Sequence, residues 1–397
     1  MSIFALVDGS NFFVSCHRAL QPQLEGKPVV VLSHDGGIII ARSNEAKALG
    51  IKMAKPVFKV KNILDSNKVI CLLSNHQLYK DTSLKMMALF RNHSPKIQEY
   101  SIDEAFLDFT GVSPTLLEKH GHEIKEDIMD TLKIPVCVGF AKTKTLSKFA
   151  NHLAKTYEDL NGVYSFHDHE RLRASLGLVS IDQIWGIGTA NQKKLKGIGI
   201  ETALDLADIT PSLARRHLNL MGERVYEELN GRVCSPLETT RAQQQSIMEA
   251  RTMLQPTVSK EVLREEISRH VGNVTENIRT LKLASRDISI FISTNKHNKG
   301  PQYEKALKVT LPKETNLTKA FLEQAHKMLD EIFKEGYQYK KTGVTLSNLK
   351  SEEVIEEDLF SVSDTEEPKL KSLTKSMDQI NQKFGKNTIS YGATGGK

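Results

Sequence analysis

The sequence predicts a multidomain α+β fold. Its 397 residues are enough for about three domains, each able to bury a core of its own. Short apolar segments with strand-like alternation, such as Ile3–Val7 and Asp287–Ile292, are separated by helical stretches such as Lys260–Leu281. A polar stretch from Glu238 to Gln245 is typical of a tether between compact parts.

Strands and amphipathic helices alternate loosely from about residue 75 to residue 164, which predicts a helix-covered antiparallel sheet. Within it, Pro135–Phe140 is a strand followed by a turn into a helix at residues 141–150. Farther along, residues 303–311 and 344–346 alternate as half-buried strands, with a second helical stretch at 316–334 between them. We therefore expect a second, smaller sheet with two helices near the C-terminus.

Several classes of protein are excluded by composition. No apolar run approaches the roughly 20 residues that cross a bilayer, and the first four residues lack the basic start of a secretory signal. The cysteines are scattered, without the paired spacing of a zinc knuckle or a disulfide framework. We expect a reduced, cytoplasmic protein with no membrane partner. The four cysteines are Cys16, Cys71, Cys137 and Cys234.

Charge is unevenly distributed, although the net charge is only +6. Residues 241–350 carry 19 basic and 12 acidic side chains, a net of +7, whereas residues 351–397 carry 6 and 9, a net of −3. This asymmetry predicts a polyanion partner for the basic region and a protein partner for the tail. On charge count alone, an ordinary solvated basic surface is an equal alternative.

Two adjacent carboxylates, Asp103 and Glu104, interrupt the strand-like segment Tyr100–Asp108. Burying an unpaired carboxylate costs several kcal/mol, so the pair needs a cation or basic partners. Successive strand side chains point to opposite faces, so the two converge only if the chain bends, and we place them at the end of a hairpin. The alternative is an acidic turn at a strand end.

A third carboxylate, Asp8, ends the apolar strand at Ile3–Val7 and is followed by Gly9, which lets the backbone approach a ligand closely. Together with Asp103 and Glu104 it gives three acids on strand ends. That is the minimum for two Mg²⁺ ions, which prefer carboxylate oxygens and stabilise in-line phosphoryl displacement.

Four segments resemble the Y-family DNA polymerases in order and spacing, and the UmuC-like catalytic subunits of bacterial DNA polymerase V most of all. They are Asp8–Cys16, Gly26–Leu32, Ala41–Lys52 and Tyr100–Asp108. The resemblance covers essentially the whole chain. It implies a low-fidelity, template-directed DNA polymerase for translesion synthesis and damage-induced (SOS) mutagenesis. It also implies two Mg²⁺ ions, deoxynucleoside triphosphate substrates and a primer–template partner.

The resemblance implies a right-hand architecture, with an antiparallel palm sheet, small fingers, a helical thumb and a βαβ-type little finger. We predict a palm in residues 1–16 and 75–166, fingers in 17–74, a thumb in 167–232, a linker in 233–245, a little finger in 246–350 and a partner-binding tail in 351–397.

Metal ligands carried over from the family fall on the side chains of Asp8, Asp103 and Glu104 and on the Gly9 carbonyl. The three acids are therefore the predicted catalytic residues. We interpret Asp108, outside this set, as structural.

Phe12 and Phe13 fall in the nucleotide-binding segment. Phe13 matches the bulky residue that lies under the sugar of the incoming nucleotide, where an aromatic face leaves no room for a 2′-hydroxyl. Plain core packing is its alternative. Ile38 and Ile40 match the roof over the nascent base pair, with core of a small sheet as the alternative.

Basic and amide side chains match the family's triphosphate contacts. Asn44 and Lys47 occupy the relevant finger-helix positions, and Arg42 lies close by. The resemblance assigns a triphosphate contact to Lys148 as well, since lysines compensate phosphate charge effectively. Lys142 and Lys144 are predicted to be solvated or near DNA.

The segment Trp185–Ile200 contains two Gly-Ile-Gly motifs around a helix and resembles the helix-hairpin-helix element. Its glycines would let backbone N–H groups face a DNA phosphate at a helix N-terminus, without reading sequence. The alternative is an αα-hairpin with glycine caps. The predicted DNA-binding glycines are Gly186, Gly188, Gly197 and Gly199.

The tail changes character, because residues 351–367 hold eight acids and no base and are predicted to be disordered. Glu356–Phe360 resembles a sliding-clamp peptide in which Leu359 and Phe360 fill a pocket and Glu356 replaces the usual glutamine. Residues 371–385 resemble the UmuC-like C-terminal segment and predict an amphipathic helix for a partner groove. The implied partners are a UmuD-like subunit, the RecA filament and a sliding clamp.

Two other functions use the same residues. A two-metal nuclease would use the three carboxylates but needs neither a sugar gate at Phe13 nor a triphosphate lysine at Lys148. A catalytically silent DNA-binding scaffold would not need the intact acidic trio.

Overall fold

The structure is a computed structural model that describes residues 2–166, 169–239, 243–354, 367–385 and 388–391. The chain divides into two compact units, Met1–Arg241 and Ala242–Lys397. The division falls inside the segment predicted as a linker.

The first unit contains two sheets and a helical region. Its elements in chain order are β1 (Phe4–Gly9), α1 (Phe12–Leu20), β2 (Val29–Leu32), β3 (Ile39–Arg42), α2 (Asn44–Ala48), α3 (Val57–Ser66), β4 (Ile70–Leu73), α4 (His76–His93), β5 (Ile97–Glu99), β6 (Glu104–Asp108), α5 (Leu117–Leu132), β7 (Val136–Ala141), α6 (Lys144–Thr156), β8 (Val163–Ser165), α7 (His169–Leu178), α8 (Thr189–Lys196), α9 (Ala203–Asp208), α10 (Pro211–His217) and α11 (Leu220–Leu229).

The second unit is built on one sheet. Its elements are β9 (Ser246–Thr257), α12 (Lys260–Thr280), β10 (Leu283–Thr294), β11 (Glu304–Thr315), α13 (Thr318–Ile332), β12 (Tyr339–Ser347), β13 (Lys350–Ser351) and α14 (Glu367–Phe384). Short 3₁₀ turns occur at Pro22–Leu24, Pro114–Leu116, Glu158–Leu160, Ile181–Gln183 and Glu352–Val354.

A five-stranded sheet in the order β5-β6-β1-β7-β8 forms the centre of the first unit. Its strands are antiparallel except for the parallel pair β7–β8. Every residue of β1 is buried, because β6 and β7 flank it and α6 packs across it. The α6 backbone comes so close to β7 that a Cβ on Gly139 would lie 2.1 Å from the Asn151 nitrogen, which explains the glycine. The predicted helix-covered sheet is thus present.

Strands β5 and β6 form the hairpin that the sequence predicts around the acidic pair. The connection is residues 100–103, and β6 begins at Glu104. Asp103 therefore lies in the connection and Glu104 at the first position of the strand, so the chain bends between their side chains as expected.

A smaller sheet, β3-β2-β4, follows within residues 29–73 and has its own apolar cluster. It packs with α2 and α3 around fully buried Val30, Ile39 and Ile51. The helices α7 to α11 form a further compact region, in which Thr202 and Asp205 make a capping box at the start of α9.

In the second unit the strand order is β11-β10-β12-β9, entirely antiparallel, with β13 also paired to β10. The core lies between this sheet and helices α12 and α13. The three strands and two helices predicted here are all present. Strand β9 was missed, because its sequence alternates poorly and most of its side chains are exposed on both faces.

Helix α14 is present where the sequence predicts an amphipathic helix at residues 371–385, whereas most of the acidic segment predicted to be disordered lies outside the described residues. This helix, which was predicted to bind a partner protein, packs against the rest of the second unit. The Arg279 guanidinium donates two hydrogen bonds, of 2.7 and 2.8 Å, to the Asp378 carboxylate. Thr374 is almost completely buried in the same contact. The clamp-like residues Leu359 and Phe360 lie outside the described residues. Among the helices of the described segments, none is long and apolar enough to span a membrane.

Candidate active site

The pairing of β1 with β6 brings the three predicted carboxylates together at one end of these strands. β1 and β6 run antiparallel with Asp8 directly opposite Glu104. The Gly9 N–H donates a 2.9 Å hydrogen bond to the Asp103 carbonyl, which ties the end of β1 to the hairpin. A Cβ on Gly9 would be 3.5 Å from the Cβ of Asp103, so the two backbones lie in close contact. Residues almost a hundred positions apart thus form one acidic group.

Burial makes these charges costly. Desolvation raises the pKa of Asp8 to about 7; Lys155 opposes this shift, whereas the nearby charges of Glu104 and Asp103 add to it. Burial also raises the pKa of Asp103, against a 2.6 Å hydrogen bond donated by the Ser101 hydroxyl. Neighbouring buried carboxylates are costly to ionise together, and a bound cation stabilises their ionised forms.

Two lysines of α6 form salt bridges with two of the acids. Lys155 Nζ is 2.5 Å from Asp8 Oδ1, and Lys148 Nζ is 2.7 Å from Glu104 Oε2. The lysines are seven residues apart, which places them two turns apart on one face of the helix. Sequence reasoning missed Lys155, although this spacing from Lys148 was the signal that would have found it.

Divalent cations fit this donor set by chemistry, since carboxylate oxygens and a backbone carbonyl are the ligands that Mg²⁺ prefers. Within the segments that the structure describes, no three His, Cys, Asp or Glu side chains are already arranged to hold an ion. The contacts explain this, because the Asp8 and Glu104 oxygens are turned to the lysines.

A cleft of about 760 Å³ opens beside the acids. Its size suits a nucleotide-sized ligand. Both acidic and basic side chains line it, together with aromatic ones. The lining includes Asp8, Gly9, Asn11, Phe12, Phe13, Ile40, Arg42, Asn44, Lys47, Met53, Asp103 and Lys155.

Several cationic side chains also line the cleft. Burial lowers the pKa of Lys47, and the positive charges of Arg42 and Lys155 lower it further. The buried Nε of Arg42 has no hydrogen-bond partner. Asn44 Oδ1 accepts hydrogen bonds from Lys47 Nζ at 3.1 Å and from the Asn11 amide at 3.0 Å. Such crowding of positive charge is typical of an anion site.

Of the aromatic and apolar residues predicted to contact the nucleotide, three line the cleft and one does not. Phe12 is 3% exposed, whereas Phe13 is half-buried, and both line the cleft. Ile40 also lines it. Ile38 is 41% exposed and forms an isolated bridge with Pro56.

Lys148 lies within an aromatic setting next to Glu104. Its ammonium group is 4.6 Å from the ring centre of Tyr100 and 5.7 Å from that of Trp185. The Trp185 indole N–H donates a 3.0 Å hydrogen bond to the Tyr100 hydroxyl. In this structure the lysine therefore neutralises a carboxylate, and its predicted triphosphate contact stays a prediction.

Lys144 corrects one prediction. It is 4% exposed and donates to the Gln98 side chain and, at 2.7 Å, to the Pro236 carbonyl, so it is neither solvated nor available to DNA. Lys142 is exposed, as predicted. Asp108 accepts a 2.9 Å hydrogen bond from the Thr110 N–H at the far end of β6, which is a structural contact.

The four glycines of the two Gly-Ile-Gly motifs surround α8. Gly186 and Gly199 have left-handed backbones, with φ of +87° and +82°, whereas Gly188 and Gly197 are the N-cap and C-cap of the helix. Because Gly188 has no side chain, it does not cap the first backbone N–H groups of α8, which are the groups that would bind a phosphate.

Sequence comparison assigns the family. Residues 7–152 match the impB/mucB/samB family, residues 244–359 match its C-terminal domain, and residues 371–397 match a domain of unknown function. Protein UmuC of Salmonella typhimurium is 36% identical over 398 residues, which cover 99% of this chain and 94% of the relative. The chain belongs to the impB/mucB/samB family.

Two further relatives are similar to nearly the whole chain. Protein ImpB of Salmonella typhimurium is 32% identical over 99% of this chain and 93% of its own length. DNA polymerase IV of Bacillus velezensis is 26% identical over 98% of this chain and 92% of its own length. These matches confirm the predicted activity, low-fidelity translesion DNA synthesis in damage-induced mutagenesis.

Solved structures confirm the fold class at the coarse level. A Y-family DNA polymerase chimera of Dbh and Dpo4 superposes with a TM-score of 0.70 at 23% identity, covering 88% of this chain and 99% of the chimera. An insertion ternary complex of Dbh DNA polymerase superposes with a TM-score of 0.58 at 22% identity over the same shares. The chain has the Y-family fold.

Proposed function

We propose that Asp8, Asp103 and Glu104, with the Gly9 carbonyl, hold two Mg²⁺ ions and form the nucleotidyl-transfer centre of this polymerase. The observation that carries the proposal is the register of β1 and β6, which pairs Asp8 with Glu104 next to Asp103, beside a cleft of about 760 Å³ that Asp8 and Asp103 line. When bound, such ions supply activation of the primer 3′-oxygen and neutralisation of the pyrophosphate leaving group.

The polyphosphate of the nucleotide is held by the cationic wall. Lys47, Arg42 and Lys155 all line the cleft and supply positive charge that compensates the phosphates. Asn44 orients Lys47 rather than contacting phosphate itself, because its carbonyl oxygen accepts from the ammonium group. Lys155 would move from Asp8 to the phosphates when cations occupy the acids.

Phe13 excludes ribonucleotides. Phe13 lies in the first turn of α1 and lines the same cleft as Asp8 and Asp103, where an apolar face offers a 2′-hydroxyl neither space nor a hydrogen bond. Phe12, being almost fully buried, supports the helix start.

Primer–template DNA is bound through its phosphates, by the glycine-capped start of α8 and by the basic region 241–350. We place the palm, fingers, thumb and little finger at the boundaries given above. A DNA-acting enzyme with this role works in the cytoplasm, the predicted location.

Partner proteins are proposed from the family resemblance and the tail. The acidic segment ending at Glu367 and the helix α14 carry the surfaces for a UmuD-like subunit and the RecA filament. A sliding clamp would take Leu359 and Phe360.

Primer extension separates this function from the two alternatives. Purified protein is incubated with a labelled primer–template, Mg²⁺ and deoxynucleoside triphosphates, on undamaged and lesion-bearing templates. Lengthening of the primer supports the polymerase centre. Shortening would indicate a nuclease, and retention of the DNA without either would indicate a scaffold; either result would contradict the proposal.

A further inference from the structure

The ring of Phe13 is stacked on a second aromatic ring from another helix. The centroids of Phe13 and Tyr79 are 4.1 Å apart and their planes differ by only 10°. Phe13 belongs to α1 and Tyr79 to α4, which are far apart in sequence. Phe13 meets the cleft, whereas Tyr79 is completely buried behind it. The face of Phe13 that does not face a ligand is thus backed by a rigid partner.

Tyr79 itself is fixed at its polar end. Its hydroxyl shares a 2.9 Å hydrogen bond with His17 Nε2, and both groups are buried. His17 is four residues after Phe13 on α1, so the two side chains lie on the same face of that helix. One tyrosine therefore contacts α1 twice, with its ring on Phe13 and its hydroxyl on His17.

Further rings limit sideways movement of this pair. His76 meets Tyr79 edge-on at 6.0 Å, and His17 does so at 5.7 Å. Phe12 is tilted against Phe13 at 6.1 Å. Close-packed interiors transmit a change in one side chain to its neighbours, so the position of the Phe13 ring depends on what lies behind it.

We propose that Tyr79 is a positioning residue for sugar selection: its ring sets how far Phe13 projects into the cleft, and the His17 hydrogen bond fixes that ring. This rests on the proposed role of Phe13 as the sugar gate. With Tyr79 shortened, the Phe13 ring retreats into the vacated space and a 2′-hydroxyl is tolerated.

The experiment compares the ratio of kcat/KM for a deoxynucleotide to that for the matching ribonucleotide. The variants are Tyr79→Leu, Tyr79→Met and Tyr79→Phe, with Phe13→Ala in parallel. Because both nucleotides are tested on one preparation, the ratio does not depend on the fraction of folded enzyme. Methionine fills irregular gaps well, so Tyr79→Met keeps the test available if the leucine variant folds poorly.

We expect Tyr79→Leu and Tyr79→Met to lower the selectivity ratio by about 3- to 10-fold, the range that loss of one aromatic pair corresponds to. Tyr79→Phe keeps the stacked ring but loses the hydrogen bond to His17, so its ratio should lie between those of the wild type and of Tyr79→Leu. Phe13→Ala should lower the ratio more than any Tyr79 variant.

The outcomes separate this inference from the gate itself. A drop for Phe13→Ala with wild-type ratios for Tyr79→Leu and Tyr79→Met would overturn the role of Tyr79 and leave the gate in place. An unchanged ratio for Phe13→Ala would remove the gate and this inference with it. In the double variant Phe13→Ala/Tyr79→Leu, the second substitution should add nothing, and full additivity would contradict a role exerted through Phe13.

Discussion

Asp8 is the side chain with the highest cost of ionisation in the site. It lies near the end of a fully buried strand, is opposite Glu104 and is 2.5 Å from the Lys155 ammonium group, which balances its charge. A lysine partner neutralises one charge, whereas two bound divalent cations would neutralise several. Lys155 and Lys148 therefore contact the same carboxylates that we propose as metal ligands.

The raised pKa of Asp8 predicts a pH-dependent metal requirement. Below the metal-free pKa of about 7 a proton occupies the carboxyl group and competes with the cation; above it the competition ends. The Mg²⁺ concentration for half-maximal primer extension should fall by about fivefold between pH 6 and pH 7 and by about twofold more by pH 8. The measurement is a Mg²⁺ titration at pH 6, 7 and 8. An equal Mg²⁺ requirement at all three would contradict the Asp8 assignment.

The two lysines of α6 give a paired prediction. Lys155→Ala removes a cation from the cleft wall and should raise the KM for the nucleotide about tenfold, the scale of one charge-assisted hydrogen bond. Lys148→Ala leaves Glu104 without its partner and should change kcat and the Mg²⁺ dependence instead. Steady-state kinetics of both variants distinguishes these effects. A KM rise for Lys148→Ala alone would restore the triphosphate role predicted from the sequence and refute that of Lys155.

Sequence reasoning reached the acids because carboxylates at the ends of apolar strands violate the local pattern. It missed Lys155 because a lysine on an amphipathic helix is the ordinary solvated residue. Tyr79 was missed for a related reason, since a tyrosine within a helix such as α4 predicts only core packing. The contact of Phe13 with Tyr79 depends on the packing of α1 against α4, which a local sequence pattern does not reveal.

Among the secondary-structure elements, α14 is an amphipathic helix that packs against its own chain. Its amphipathic spacing predicts a helix that needs a groove, and the groove is supplied by α12 and by Tyr391 near the C-terminus. The Arg279–Asp378 pair is mostly buried, with side-chain exposures of 16% and 19%. Breaking one partner of such a pair leaves a charge without compensation.

We predict that Arg279→Ala loosens α14. The loss of two charge-assisted hydrogen bonds should weaken docking by about 1–3 kcal/mol and speed amide hydrogen exchange in residues 367–385. The measurement is hydrogen–deuterium exchange by mass spectrometry, with Lys375→Ala, an exposed position on the same helix, as the control. Unchanged protection in Arg279→Ala, or equal loss in the control, would show that the ion pair does not hold the helix.

Elements with strong periodicity were predicted and weakly patterned ones were not. Helices α12 and α13 were located to within a few residues, since each buries one continuous apolar face. Strand β9 lacks such a face, and it is held in the sheet by its pairing with β12, which a local pattern does not reveal.

For the whole molecule, the uneven charge predicts salt-sensitive DNA binding. The net charge of +7 in residues 241–350 should act on phosphates rather than bases. Raising salt from 50 to 200 mM should weaken primer–template affinity by on the order of tenfold for every two phosphate contacts, equally for unrelated sequences. Fluorescence anisotropy at several salt concentrations measures this. Binding that is insensitive to salt, or that depends on sequence, would contradict backbone recognition.

Asp103, whose carbonyl accepts a hydrogen bond from the Gly9 N–H of the neighbouring strand, is proposed to hold metal and not DNA. The most direct test is single-nucleotide incorporation by Asp103→Asn on a primer–template at saturating protein, with DNA affinity measured on the same sample. We predict that incorporation falls by at least about 10³-fold, as for removal of a group that stabilises developing charge, while the Kd for DNA stays within about twofold of wild type. Incorporation at the wild-type rate by Asp103→Asn would contradict the metal centre proposed at these strand ends.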